Sequence, residues 1–289
     1  MFSVIDHAMR GAASRLSSLT TSSLCILLAT TAGAPAQDFN LTGTPVPEPP
    51  KPSSGQGIVI NLGGGAALAP AYEGSKTLRV SPIPFVEING LANDRVSIST
   101  THGVAVNIID IGGFKAGVNV NYSSGRGRAN SGRVEGLPNI PGAATVSGFL
   151  TYDFRPFSVG LEVKDRIGPA SGTVISLGGD YRFSPFPALQ IYFGPRVNFA
   201  DRQYEQTFFG VSASSAARAT SLGNPTRAYD ATPGIKNVEL SLTAKYAITD
   251  RWSAITHVGL SQLVGSAANS PLTQQKLQPS VAAGILYRF

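Results

Sequence analysis

The chain has 289 residues and a formal net charge of +6, and only 14% of its residues are charged, whereas globular domains average about 25%. With 32 glycines and 20 prolines, this composition favours short strands and turns over helices. The positive charges are scattered, without a basic cluster interleaved with aromatic residues, so no nucleic-acid partner is expected.

Residues 1–36 have the features of a secretory signal peptide. Arg10 and Arg15 precede the apolar run 24–29, and small residues at 34–36 provide a cleavage site before Gln37. The alternative, an amphipathic N-terminal helix, is disfavoured because no apolar period continues beyond residue 36. We therefore expect export to the bacterial envelope with removal of a signal.

Beyond the predicted signal, the pattern is that of strands. The one cysteine, Cys25, lies within the signal, so the exported chain would contain no disulfide. Residues 37–56 form a Pro-rich run, which predicts an extended periplasmic linker. No later stretch reaches the about 18 apolar residues of a membrane-spanning helix. Residues 57–289 alternate apolar and polar positions in short segments, which is typical of a transmembrane barrel.

The alternating segments predict an all-β fold, an up-and-down antiparallel transmembrane β-barrel of about twelve strands. We expect strands over 57–66, 77–89, 95–101, 103–109, 114–123, 143–153, 157–166, 172–183, 189–200, 236–248, 251–264 and 278–289. An even number of strands places both ends of the barrel on the same side of the membrane, as in bacterial outer-membrane proteins.

The connections between the predicted strands are of two kinds. Those near residues 89–94, 110–113, 153–156, 184–188 and 249–250 are short, whereas 67–76, 124–142, 167–171, 201–235 and 265–277 are mostly long. The short link Thr101–His102 is the exception. Short periplasmic turns and long extracellular loops are the pattern of outer-membrane barrels, and a soluble sandwich has no reason to show it. The chain is therefore expected to lie among outer-membrane lipids.

The last strand, QPSVAAGILYRF, alternates and ends on an aromatic residue. In most soluble folds such a strand would leave an unpaired edge, whereas a closed barrel removes the edge. We expect this strand to close the barrel against the first one. Gly284, Tyr287 and Phe289 form the predicted closing signal, and the two aromatic residues are expected in an interfacial girdle.

Ten charged residues lie on the water-facing sides of the clearest strands and are candidates to line the lumen. They are Arg79, Glu87, Lys115, Glu162, Lys164, Arg166, Arg196, Glu239, Lys245 and Arg288. Charges of both signs on one face favour a lumen cross-linked by ion pairs. The excess of basic residues leaves open a narrow pore with a mild preference for anions.

Three parts of the chain resemble the MipA/OmpV family of outer-membrane proteins. The first is Pro70–Ser75 with Pro82–Pro84, and the third is Leu263–Leu272. The second consists of Phe199–Asp201 with Tyr204, then Thr207–Val211, and later Tyr229 and Gly234. The chain departs from the family pattern at Ser266, Phe208 and Ala282, where the family usually has acidic, tyrosine and polar residues. The resemblance implies an outer-membrane barrel. One class of members is a scaffold that joins a lytic transglycosylase to a bifunctional murein synthase; others are linked to osmotic response, adhesion or solute uptake.

Few residues offer catalytic or metal-binding chemistry, so no enzyme activity, metal or cofactor is expected. His257 and Ser261 share the lumen face of one strand, away from lipid, which disfavours a lipid-hydrolysing pair. The candidate functional loop contains Asp201, Tyr204, Phe208, Phe209 and Tyr229. The alternative is that these residues fold the loop onto the barrel mouth.

The functional prediction is an envelope scaffold linked to murein synthesis. A narrow channel for small solutes is the first alternative, and a lipid-modifying enzyme is the second.

Overall fold

The computed structural model describes residues 57–127 and 132–289, and the predicted signal and linker lie outside them. The strands are β1 (Val59–Pro70), β2 (Leu78–Leu91), β3 (Val96–Ser99), β4 (Gly103–Ile111), β5 (Phe114–Ser123), β6 (Ala143–Phe154), β7 (Phe157–Arg166), β8 (Gly172–Phe186), β9 (Leu189–Ala200), β10 (Gly234–Ala247), β11 (Trp252–Leu263) and β12 (Leu277–Arg288). Every predicted strand is present. The bounds of β5, β7 and β9 are those predicted, and the largest difference is at β1, which continues to Pro70.

The strands form one closed antiparallel barrel in which β1 pairs with β12 and every other pair joins sequence neighbours. The closing ladder runs from Asn61 opposite Arg288 to Leu68 opposite Val281. One further hydrogen bond, from the Phe289 amide to the Ile60 carbonyl at 3.0 Å, continues this seam. The predicted all-β barrel of twelve strands is therefore confirmed.

Alternation along the strands gives the barrel an apolar outer wall. On β12, Val281 and Ile285 are exposed, whereas Ala282 and Leu286 are buried. Strands β6, β7 and β9 repeat the pattern, with apolar residues at nearly all of their exposed positions, whereas the four residues of β3 are all half-buried. An exposed apolar surface of this extent, closed on itself, is a surface built to contact lipid.

Aromatic rings gather at the short-turn end of the barrel. The ring of Tyr287 lies 4.9 Å from Trp252 and 4.8 Å from Phe289, edge to face in both cases. Phe154 and Phe157, which flank another short turn, stack at 5.9 Å. These rings form the aromatic belt expected where an outer-membrane barrel meets the membrane interface.

The seam between β1 and β12 is tight because its glycines face an aromatic ring. Phe85 of β2 points into the barrel, is 2% exposed, and packs with Leu286. A Cβ atom at Gly65 or at Gly284 would come within 2.8 or 2.4 Å of the Phe85 ring. The run Gly63–Gly65 is thus a strand segment that admits close packing and is not a phosphate-binding loop.

The hairpin of β3 and β4 is shorter than its neighbours and leaves part of the wall unpaired. Strand β3 has four residues, and its ladder with β2 begins at Glu87 opposite Ser99. Thr100 adds one contact, since its amide donates to the Val86 carbonyl at 3.0 Å. Among the described residues, the part of β2 before Val86 forms a ladder with β1 only.

Two prolines lie on this unpaired edge of β2. The Val86 amide donates to Thr100 Oγ1 at 3.1 Å, and the same hydroxyl donates to the Pro84 carbonyl at 2.6 Å, so both residues turn their backbone groups away from β1. Alternate residues of a strand face the same side, so the nitrogen of Pro82 does likewise. Proline at these positions removes donors that no strand would satisfy and blocks the addition of another strand.

The long-loop end carries three helices that the alternation did not predict. Helices α1 (Arg202–Phe209) and α2 (Ala213–Ser221) lie between β9 and β10, and α3 (Gly265–Asn269) lies between β11 and β12. A short 3-10 helix covers Gly132–Val134. Within the described residues, no helix is long and apolar enough to cross a membrane. Long loops mark this end as the extracellular one in bacterial barrels.

Candidate functional site

The extracellular loops pack into a cap, which we define as residues 71–77, 132–142, 201–233 and 264–276. Two buried apolar clusters hold it together. The first contains Ala71, Tyr72, Val134, Leu137, Val211, Ala216 and Leu272, and the second contains Ala200, Tyr204, Phe209, Ala231, Leu263 and Ala267. The Tyr72 hydroxyl donates to the Leu272 carbonyl at 3.1 Å, across 200 residues of chain. Loops that are distant in sequence therefore form one structure at the barrel mouth.

Side-chain caps define the two longer helices of the cap. Asp201 accepts a hydrogen bond from the Tyr204 amide at 2.7 Å, and Ser212 accepts one from the Ser215 amide at 3.2 Å. Both are N-caps, which satisfy amides that the first helical turn leaves free. An Asp or Ser ahead of each short segment is the sequence signal that could have predicted these helices.

The five residues of the candidate functional loop all take part in the cap. Asp201 caps α1, Tyr204 and Phe209 are buried in the second cluster, and the rings of Phe208 and Tyr204 stack at 4.4 Å. Tyr229 packs against both clusters. In the structure, these five residues pack the long loop onto the barrel mouth.

Lys236 joins the cap to the barrel wall. Its Nζ donates to Glu73 Oε1 at 2.6 Å and to the Tyr204 hydroxyl at 3.4 Å, and that hydroxyl donates to Glu73 Oε2 at 3.1 Å. The ammonium also lies 4.8 Å from the centroid of the Tyr204 ring. The ion pair between Glu73 of the loop and Lys236 of the strand is thus largely shielded from water, and Tyr204 of α1 hydrogen-bonds to both partners.

A β-bulge explains why the alternation did not reveal Lys236. The pairing of β10 with β9 shifts register between Ile235 and Asn237, and Lys236 and Asn237 are both buried. Regular alternation would have placed Lys236 on the lipid side with Val238. The extra residue of the bulge turns two successive side chains inward instead.

Glu205 of α1 is a buried carboxyl beside this ion pair. It is 1% exposed, and its Oε2 has no hydrogen-bond partner among the described residues. Burial, reinforced by the charge of Glu73 and opposed by that of Lys236, raises the pKa of Glu205 from its ordinary value of 4.5 to about 7. The carboxyl is therefore partly protonated at neutral pH.

A cavity of about 170 Å³ lies between the cap and the barrel interior. Four candidate lumen residues line it: Lys164, Arg166, Arg196 and Glu239. The other six lie elsewhere on the barrel. Arg79, Glu162 and Lys245 are half-buried on their strands, Glu87 accepts a hydrogen bond from Asn61, Lys115 lies 3.8 Å from Asp110, and Arg288 is exposed at the end of β12.

Two buried arginines of the cavity meet at Phe208. Arg126, in the loop after β5, donates from Nη1 to the Phe208 carbonyl at 2.6 Å. Arg166 lies 5.5 Å from the centroid of the Phe208 ring and donates to Ser123 and Pro141. Burial lowers the pKa of Arg126 to about 10, which leaves it charged at neutral pH.

His257 and Ser261 both line the cavity and so face away from lipid, as predicted. His257 Nδ1 lies 3.0 Å from Thr243 Oγ1, and Ser261 Oγ accepts a hydrogen bond from Asn237 at 2.6 Å. Each side chain is thus engaged with a residue of β10. In residues 57–127 and 132–289, no group of three or more His, Cys, Asp or Glu side chains could hold a metal ion.

The closed barrel, its lipid-facing wall and its aromatic belt define the class of integral outer-membrane β-barrel proteins. The sequence family described as MltA-interacting protein MipA matches residues 62–289, and the chain belongs to this family. The resemblance noted from the sequence is therefore confirmed. No curated protein matches the chain.

Several solved outer-membrane barrels are similar in structure but distant in sequence. The NanC porin shares 8% identity at a TM-score of 0.39, over 80% of this chain and 98% of that one. The translocator domain of autotransporter NalP from Neisseria meningitidis shares 10% identity at a TM-score of 0.38, over 82% and 90%. OmpT of Vibrio cholerae shares 8% at 0.35, over 80% and 96%. Similarity at this level carries no conclusion about function.

Proposed function

We propose that this protein is a non-enzymatic scaffold of the outer membrane that binds a murein-degrading lytic transglycosylase on its periplasmic side. Membership of a family described as MltA-interacting supports this partner. The cap is the structural observation that carries the scaffold role, because Tyr72, Leu137 and Leu272 are almost fully buried at the mouth. A barrel filled at one end is suited to anchoring a partner rather than to conducting solutes.

The proposed contact surface combines the periplasmic turns with residues 37–56. The described turns at that end are short, for example Gly112–Gly113 and Arg155–Pro156. A specific interface takes about 800 Å² from each partner, more than such turns offer. Our proposal is that the Pro-rich sequence of residues 37–56 supplies the remaining surface, because Pro-rich sequences lose little conformational entropy on binding. A bifunctional murein synthase is the second partner of this scaffold.

Co-purification from membranes tests the proposal. The tagged full-length protein is expected to retain the transglycosylase and the synthase, and a variant without residues 37–56 is expected to lose them. Asp230→Asn, which changes an exposed side chain of the extracellular cap, is the matched control and should retain both. Purification of the intact protein without any murein enzyme would contradict the proposal.

A narrow channel is the competing function, and the basic side chains around the cavity are the observation that favours it. Planar-bilayer recordings on the purified barrel separate the two. We expect no steady current, because the cap occupies the mouth. A steady current that depends on salt concentration would favour the channel instead.

A further inference from the structure

We infer that the cavity beneath the cap is a binding site for one small oxyanion, a carboxylate or a phosphate, held by Arg126, Arg166 and Lys164. This site is separate from the proposed periplasmic contact with a murein enzyme, since it is built from the extracellular cap and the strand ends below it. Its ligand comes from the solution and not from a partner protein.

The charges around the cavity do not balance. Five cations line it, Arg126, Lys164, Arg166, Arg196 and Lys236, together with the carboxylates Glu73 and Glu239. Glu73 is taken by Lys236 at 2.6 Å, and Glu239 is the ladder partner of Arg196 on the neighbouring strand. Among the described residues, Lys236 alone of the five has a carboxylate within 4.0 Å. Arg126, Lys164 and Arg166 also lack an acidic partner on the neighbouring strands.

Both arginines are deeply buried, and neither is fully satisfied. Arg126 is 5% exposed and Arg166 is 2% exposed. Their Nη atoms donate to neutral oxygens, but the Nε of each is buried without an acceptor in the described part of the chain. Burying a charge without a counterion is costly, and leaving its donors unpaired adds to the cost. A bound anion supplies both the opposite charge and the missing acceptors.

The geometry selects the kind of anion. Both guanidinium groups contact Phe208. Arg126 donates a hydrogen bond to its carbonyl, and Arg166 lies over its ring. Planar guanidinium groups bind carboxylate and phosphate oxygens through paired hydrogen bonds, whereas the Lys164 ammonium adds a point charge. A space of about 170 Å³ is smaller than a typical site for a drug-sized ligand. A compact ion therefore fits this space better than a sugar chain does.

The test is calorimetric titration of the full-length protein, refolded in detergent, with inorganic phosphate and separately with acetate. Chloride is exchanged to keep the ionic strength constant, so that general screening is not read as binding. We expect saturable binding of one phosphate or acetate per barrel, with a rise in the melting temperature of the cap. Which of the two binds more tightly identifies the ligand as a phosphate or a carboxylate.

Three variants and a control locate the site. Arg126→Gln and Arg166→Gln should each weaken binding by about tenfold or more, because charge-assisted hydrogen bonds are lost. Lys164→Gln alters a half-buried side chain of the same cavity and should also weaken binding. It tests the site if the arginine variants fail to fold. Arg202→Gln, which removes an exposed cation of the same cap, should bind as the wild type does.

Three results would overturn the inference. The first is wild-type protein that shows no saturable heat with either anion. The second is binding that survives in every folded cavity variant. The third is an Arg202→Gln variant that loses as much affinity as the cavity variants. None of these results depends on the murein enzyme, so failure here leaves the scaffold proposal untouched, and the reverse is also true.

Discussion

The Lys236 ammonium of β10 lies 2.6 Å from Glu73 Oε1, although the two residues are 163 positions apart in the chain. The pair ties the loop after β1 to the strand that follows the longest loop, and Tyr204 of α1 donates to the same carboxylate. Lys236 is 7% exposed, so most of the pair lies outside bulk solvent. Truncating one partner of such a pair leaves the other charge uncompensated.

We therefore predict that Lys236→Met opens the cap. The cost should be about 2 kcal/mol, below the range for fully buried pairs because Glu73 is partly exposed, and this corresponds to an open population about 30-fold larger. Trypsin cleavage after the exposed Arg218 measures that population. Asp230→Asn, which breaks the exposed pair with Arg202, is the control and should change the rate by less than about twofold. Equal rates for both variants would contradict the prediction.

The raised pKa of Glu205 makes the stability of the cap depend on pH. The folded carboxyl titrates at about 7 and the unfolded one near 4.5, so the folded state binds the proton more tightly. The contribution of Glu205 to the stability of the cap is therefore fully present below pH 4.5. It falls by about 1 to 3 kcal/mol as the pH rises from 4.5 to 7.

We expect Glu205→Gln to remove this part of the pH dependence and to slow cleavage after Arg218 at pH 8. Gln203→Glu is a useful contrast, because it adds a carboxyl to the exposed face of the same helix. A pH profile of cleavage between pH 5 and 8 is the measurement. An unaltered slope in Glu205→Gln would show that other groups are responsible.

Packing at the seam predicts the effect of a single methyl group. In Gly284→Ala, the new Cβ would lie 2.4 Å from the Phe85 ring and 2.9 Å from the Gly64 carbonyl. Overpacking of this kind costs about 1 to 3 kcal/mol. Urea unfolding followed by the fluorescence of Trp252, the one tryptophan, should show the loss. Adding Phe85→Leu to Gly284→Ala should restore part of the lost stability. If the effects of the two substitutions simply add, the contact with the Phe85 ring is not the cause of the loss.

Pro82 and Pro84 leave the edge of β2 that faces away from β1 without backbone amide donors. We predict the effect of restoring these donors. In the Pro82→Val/Pro84→Val variant, two amides would face a region without a strand partner, at a cost of about 2 kcal/mol or more inside a membrane. The urea midpoint of Trp252 fluorescence should fall. Ala66→Val, which adds the same side chain opposite Pro82 without a new donor, should leave it nearly unchanged. A midpoint that does not move in the double variant would mean that water satisfies these amides.

The strands could be predicted from the sequence because each one separates lipid from a polar lumen. Alternate residues must therefore be apolar on the lipid side and small or polar on the lumen side. The alternation put four charged residues that line the cavity on the water-facing side: Lys164, Arg166, Arg196 and Glu239. Lys236 was not predicted there, because a bulge reverses the side that its position in the alternation predicts. Arg126 was not, because its place depends on a contact with Phe208, 82 residues later. Local patterns contain no information about how loops meet.

The short β3 strand also bears on how the protein sits in the bilayer. The wall is only four residues long at Val96–Ser99, whereas β8 has fifteen residues. The apolar wall that faces lipid is therefore shorter across the bilayer beside β3 than beside β8. A bilayer answers such a mismatch by thinning locally or by letting the protein tilt. The barrel axis is accordingly expected to lean, with the direction of the lean set by one hairpin.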